Sequence, residues 1–262
     1  MIRGNDPLYE AYETPAYPSR LYHRINIAMI DFTSPYACYA NQTLSWLPMD
    51  TQDLYLRNLK TNKEKLIANG WVDTEITYTF NSHGFRCNEF TSDPTIMFLG
   101  CSYTCGVGLP IHASWTSIVA SKLNLASANL GIGGYSSDTA FRLCYGWIDV
   151  IQPKLVVMLQ PHASRFELVK LIANNSVEIK TISSFSYDVH KSFYADWISH
   201  DSNSELNSLK NLLAIKSLCA ERNIKFINFT LSELHSNDWA RDLAHSGIES
   251  NKQFAKRVLS TI

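Results

Sequence analysis

From about residue 94 onward the chain alternates short apolar runs with longer amphipathic stretches, and this constrains the fold more than any other feature. Residues 95–99 (Thr-Ile-Met-Phe-Leu), 155–159 (Leu-Val-Val-Met-Leu) and 225–231 read as buried strands, and residues 128–130 as a shorter strand running into a glycine loop. A strand solvated on one face alternates apolar and polar residues, whereas one that is apolar throughout is covered on both faces. The intervening residues 114–123, 138–151, 203–222 and 248–259 read as helices. In the third of them Leu206, Leu209, Leu212, Leu213, Ile215 and Leu218 form an apolar stripe. This alternation predicts an α/β fold, a three-layer α/β/α sandwich around a parallel sheet. Such sheets bind ligands at the carboxyl ends of their strands. The residues just after Leu99, Leu130, Leu159 and Leu231 therefore come first in a search for a site.

The first 90 residues read differently. Tyrosines crowd the first 55 positions among Pro7, Pro15, Pro18, Pro35 and Pro48, a pattern of irregular chain punctuated by turns. Residues 53–69 predict an amphipathic helix ended by Asn69-Gly70, and residues 74–80 a strand. The expected organisation is an N-terminal extension, residues 1–90, packed on a core domain, residues 91–262. Its aromatic side chains are read as packing the extension onto its host, with lining of a substrate cleft as the alternative.

Lys plus Arg number 23 and Asp plus Glu 24, so the net charge is −1. That balance argues against a nucleic-acid partner, which calls for a basic face. The start, Met1-Ile2-Arg3-Gly4-Asn5, has no basic region followed by an apolar run, and no apolar stretch is long enough to cross a bilayer. The expectation is a soluble cytoplasmic protein with no membrane partner. The cysteines are scattered without a disulfide framework, and Cys101 and Cys105 lack the second pair that a zinc site needs.

Three stretches carry candidate chemistry. Gly100-Cys101-Ser102-Tyr103-Thr104-Cys105-Gly106 follows the first buried strand. Ser102 would stand at a helix amino terminus, as a nucleophile beside free backbone N–H groups or simply as an N-cap. Asn129-Leu130-Gly131-Ile132-Gly133-Gly134 follows the second strand, and its glycines let the backbone approach a ligand or make a tight turn. It lacks the spacing of a dinucleotide-binding loop. Asp242-Leu243-Ala244-His245 precedes the closing helix. There the carboxylate can hold the imidazole Nδ1–H and leave Nε2 to accept a serine proton.

These three stretches, in this order, resemble the blocks of the SGNH or GDSL-type serine hydrolases. Gly100-Cys101-Ser102 stands where the family has G-D-S, Gly134 matches the glycine of the second block, and Asp242 and His245 match the terminal D-x-x-H. Residues 81–86 also look like the lead-in of some larger members. The resemblance covers roughly residues 81–262 and implies a flavodoxin-like sheet topology. It implies an esterase acting through an acyl-enzyme, with Ser102, Asp242 and His245 catalytic and no metal or organic cofactor. The substrate it implies is a small-molecule or glycan ester with a short acyl or O-acetyl group. The alternatives are a degenerate glycan- or partner-binding protein and an O-acyltransferase. Ser102 and Gly134 would supply backbone donors to the oxyanion. Two positions depart from the family pattern. Cys101 replaces the Asp before the serine, and no Asn follows the strand at 155–159, where the family has its side-chain donor. His162 is the expected replacement by register, with Gln160, Ser164 or Arg165 also able to reach inward, and Arg165 and Tyr103 are the expected substrate-binding residues.

Overall fold

The computed structural model describes residues 30–34, 39–171, 177–183, 192, 194–195, 197, 200–234 and 237–262. The Tyr- and Pro-rich stretch over residues 1–29, together with Pro35, Cys38, His190 and His235, lies outside the described residues.

Before residue 91 the regular elements are short. Strand β1 (Thr43–Leu44) pairs antiparallel with β2 (Tyr78–Thr79). Helix α1 (Gln52–Thr61) is capped by Thr51, whose hydroxyl accepts the Leu54 N–H, and α2 (Lys63–Ala68) follows at once. The single helix expected over residues 53–69 is broken at Asn62, whose φ of −136° leaves the helical region. The strand expected over residues 74–80 shortens to Tyr78–Thr79, which pairs with Thr43 and Leu44.

Beyond residue 91 stand β3 (Thr95–Leu99), β4 (Ala126–Asn129), β5 (Leu155–Leu159), β6 (Phe166–Leu171), β7 (Val177–Ile182) and β8 (Lys225–Phe229). They alternate with α3 (Ser102–Cys105), α4 (Trp115–Leu123), α5 (Ser137–Ile151), α6 (Asp201–Glu221) and α7 (Ile248–Thr261). Four strands form one sheet in the order β4-β3-β5-β8, every pair parallel. Numbered along the sheet's own chain order this is 2-1-3-4, the flavodoxin-like arrangement, whose switch point lies beside β3.

Alternate residues of each strand feed opposite cores. Met97, Leu99, Val156 and Met158 pack with Leu143, Cys144, Trp147 and Ile148 of α5 and with Ile215 and Cys219 of α6. Ile96, Phe98, Val157 and Leu159 pack with Trp115 and Val119 of α4 and with Phe254 and Val258 of α7. The layers are therefore α5 and α6, the sheet, then α4 and α7. The stripe expected on the long helix is corrected in part. Leu206, Leu209 and Leu213 are 57%, 50% and 55% exposed, while Ile215 and Cys219 are buried. The apolar residues of α6 wrap more than one face, and the core takes only one of them.

The antiparallel hairpin of β6 and β7 was not expected from the sequence. It is tied to α5 where Arg142 Nε meets Glu167 at 3.2 Å and the Glu167 N–H donates to Asp138 at 2.9 Å. A third cluster joins Leu47, Leu66, Trp71, Ile76, Tyr78 and Phe80 to Cys105, Val107, Leu109 and Ala240. Through it the chain before residue 91 packs on the strand-end loops. Among the described residues no helix is long and apolar enough to cross a membrane.

Candidate active site

Strand β3 ends at Leu99, and the next residue must reverse the chain at close quarters. Gly100 has φ +155°, and a Cβ there would lie 2.1 Å from Thr104 Oγ1 and 2.8 Å from the Leu159 carbonyl oxygen. No larger residue fits without displacing backbone. Ser102 is thereby placed as the first residue of α3, a single helical turn, and is 6% exposed.

Two side chains hold this turn from behind. The Asn129 amide donates to the Thr104 carbonyl at 2.8 Å, and its oxygen accepts the Gly131 N–H at 3.0 Å. Arg86, buried, donates to the carbonyls of Cys105, Gly106, Thr77 and Leu109 at 2.6–3.3 Å. The bonds to Cys105 and Gly106 occupy carbonyls that the end of a short helix leaves open. The lead-in over residues 81–86 thus ends in a clamp on the nucleophile turn. The glycine loop presses on the same turn: a Cβ at Gly131 would lie 2.6 Å from Thr104 Cβ, and one at Gly133 would lie 4.0 Å from Ser102 Cβ.

Asp242 and His245 sit at the tip of a small closed loop. Trp239 and Ser246 form an antiparallel bridge, and the Ala240 N–H donates to the His245 carbonyl at 2.9 Å. Leu243 adopts φ +55°, a left-handed conformation that folds the chain back between Asp242 and His245. Asp242 Oδ1 then accepts the N–H groups of Ala244 and His245, both at 3.0 Å, and Oδ2 is hydrogen-bonded to His245 Nδ1.

The two halves meet where His245 Nε2 lies 2.8 Å from Ser102 Oγ. Asp242 and His245 are 3% and 5% exposed. A carboxylate at Nδ1 favours the tautomer with its proton there, so Nε2 is left as an acceptor facing the serine hydroxyl. In this arrangement the imidazole can take the Ser102 proton, and Asp242 can hold the resulting imidazolium. Tyr103 packs its ring on His245, with centroids 4.7 Å apart. Burial first, then the nearby Cys101 and Asp242, keep the Tyr103 hydroxyl above its ordinary pKa, while Arg165 opposes them.

The other expected residues are placed as follows. Gly134, with φ +83°, has open space where a Cβ would stand, and no backbone or side-chain acceptor is described for its N–H or for that of Ser102. Cys101 is buried with Sγ 4.0 Å from Ser102 Oγ. Among the described residues His162 makes no hydrogen bond to Ser102. It is exposed and shares a 3.0 Å hydrogen bond with Ser164 through Nδ1. The turn after β5 closes with the Arg165 N–H donating to the His162 carbonyl at 3.1 Å. Arg165 is half-buried and close enough to Tyr103 for its charge to act there. Among the described residues no three His, Cys, Asp or Glu side chains cluster as a metal site would.

Sequence reasoning missed Asp50 and Arg241. Arg241 Nη2 meets Asp50 at 2.7 Å, both residues buried, with its guanidinium 4.0 Å from the centroid of the Trp46 ring. The Tyr78 hydroxyl donates to the same carboxylate and accepts the Gly108 N–H at 2.9 Å. Arg241 immediately precedes Asp242, so this buried network anchors the loop that carries the acid and base. A lone Asp far from an Arg gives no signal in sequence.

No family model matches the chain, and no curated protein matches it. Among solved structures the chain is similar to TesA, at 11% identity over 64% of this chain and 97% of that one, with a TM-score of 0.44. It is similar to AlinE4, an SGNH-hydrolase family esterase, at 15% identity over 63% and 75% of the two chains, with a TM-score of 0.35. It is also similar to a family two carbohydrate esterase from Clostridium thermocellum in complex with cellohexaose, at 15% identity over 64% and 63%, with a TM-score of 0.34.

Proposed function

We propose that the protein is a serine esterase that hydrolyses a carboxylic ester through an acyl-enzyme. The reading rests on one observation, the buried hydrogen-bonded series Ser102 Oγ, His245 Nε2, His245 Nδ1, Asp242 Oδ2. As Ser102 Oγ bonds to the ester carbonyl carbon, its proton passes to His245 Nε2. The carbonyl oxygen becomes an oxyanion, held by the backbone N–H groups of Ser102 and Gly134. Collapse breaks the bond to the alcohol oxygen, which leaves with the proton from Nε2. Water then attacks the acyl-enzyme, giving its proton to Nε2. The second collapse releases the acid and returns the proton to Ser102. The acyl group we propose is short, O-acetyl included, on a carbohydrate or another small alcohol. This part follows the resemblance of the three sequence blocks.

A fluorophosphonate probe tests the reading directly. The wild-type protein should be labelled on Ser102 and the Ser102→Ala protein should not. Labelling at another residue, or none in a protein that turns over no ester, would remove the mechanism.

A further inference from the structure

Of the described arginines that are buried or half-buried, one side chain has neither a hydrogen bond nor an ion pair among the described residues. Arg86 donates to four carbonyls, Arg142 pairs with Glu167, Arg222 with Asp149 and Arg241 with Asp50. Among the described residues Arg165 has no carboxylate and no side-chain hydrogen bond, and its Nη1 is shielded from solvent without a partner; Arg86 Nε is shielded and unpartnered too, but the other nitrogens of Arg86 are bound to carbonyls. A guanidinium carries its charge at every working pH, so a shielded N–H on it carries a free-energy cost until an acceptor arrives. Its position says where that acceptor comes from. Arg165 follows β5 on the sheet end that carries Ser102, in the turn closed by its N–H on His162. Its charge also acts on Tyr103, whose ring lies against His245. Among the described residues the carboxylate at the site, Asp242, is already occupied by two backbone N–H groups and the imidazole.

We propose that Arg165 is an anion-binding residue of the substrate site, and that the preferred ester carries an oxyanionic group, a carboxylate being the simplest, on its acyl or its alcohol part. The proposal rests on the esterase reading and narrows its substrate class. A planar fork of donors suits such a group, and binding it would satisfy the N–H that is now unpaired. As a contact to a substrate group other than the reacting carbonyl, Arg165 would act mainly on KM.

Two matched pairs of esters test it. 4-Nitrophenyl acetate against 4-nitrophenyl hemisuccinate places the charge on the acyl side, and phenyl acetate against 4-acetoxybenzoate places it on the alcohol side. In at least one pair the wild type should favour the charged member by ~10- to 100-fold in kcat/KM, the range expected of one charge-assisted pair. Arg165→Gln should collapse that ratio, and Arg165→Lys should restore part of it. A wild-type ratio near one in both pairs would overturn the proposal. So would an Arg165→Gln protein that slows both members equally, since that marks a role in the oxyanion hole or the fold. Calorimetry separates this idea from the esterase reading. 4-Nitrophenyl hemisuccinate should bind the Ser102→Ala protein and lose ~10-fold or more in affinity when Arg165→Gln is added. Equal affinity, or no binding to either protein, would sink the anion site even if Ser102 is labelled. The expected loss would support the anion site even if no ester is turned over.

Discussion

The two halves of the site are held in different ways. The Ser102 turn is gripped mainly by its neighbours in the sheet: β3 behind it, the glycine loop beside it, and the Asn129 amide across 25 residues. The His245 loop is gripped by chain far away. Arg241 reaches Asp50 across 191 residues, the Trp71 indole donates to the Trp239 carbonyl at 2.6 Å, and the Trp239 N–H donates to Asn69 at 2.8 Å. The nucleophile turn therefore rests on the α/β core with Arg86 as an added clamp, whereas the acid–base loop rests on Asp50, Asn69 and Trp71 of the chain before residue 91. That difference predicts separable failures.

The largest effect removes the meeting point itself. Ser102→Ala should lower kcat by at least ~10³-fold while leaving the fold intact. Ester turnover beside a thermal melt checks both, and a folded variant that keeps most of its activity would refute the nucleophile assignment.

Next comes the distant anchor. Asp50→Ala leaves the Arg241 charge buried without its partner, a loss on the order of 3–5 kcal/mol of stability. Activity should fall through kcat at temperatures where the core is still folded. Denaturant unfolding should reveal the loss, and a change below about 1 kcal/mol would mean that the loop stands without the N-terminal segment.

Asn129→Ala strips donors and an acceptor from buried groups on the nucleophile side. It should cost about 1–3 kcal/mol. If it instead disturbs the His245 loop as much as Asp50→Ala does, the two halves are not independently held. A double mutant of Asp50 and Asn129 measures this: additive losses support separate supports, and a large coupling contradicts them.

The last effect is in the pH dependence, and it is confined to pH above 9. Burial pushes the Cys105 thiol up to about 11, from 9.0. Its folded form holds the proton where the unfolded form has lost it. This contribution is therefore fully present below pH 9 and declines as pH rises toward 11, by about 1.4 kcal/mol per unit. Cys105→Ala should flatten that part of the stability profile relative to the wild type. Matching profiles would show that the thiol does not report on the packing between the N-terminal segment and α3.

Much of the parallel sheet was legible because burial on both faces leaves an unbroken apolar run, as at residues 95–99 and 155–159. The three loop stretches were legible because Gly100, Ser102, Asp242 and His245 are close in sequence to the elements that carry them. The hairpin of β6 and β7 was not. Residues such as Glu167, Lys170, Glu178 and Lys180 break the apolar pattern, and pairing across the hairpin, not periodicity, makes the strands. The stripe on α6 misled because periodicity gives the faces of a helix but not which face meets the sheet.

The sequence by itself determined an α/β chain with its candidate chemistry on strand-end loops, since those features follow from local pattern and chain order. Only the tertiary structure decided that His245 reaches Ser102, that His162 faces solvent, that Arg165 has an unpaired donor, and that Asp50 anchors the acid–base loop. Each of these depends on distances between residues remote in the chain, and those distances are fixed by how whole elements pack.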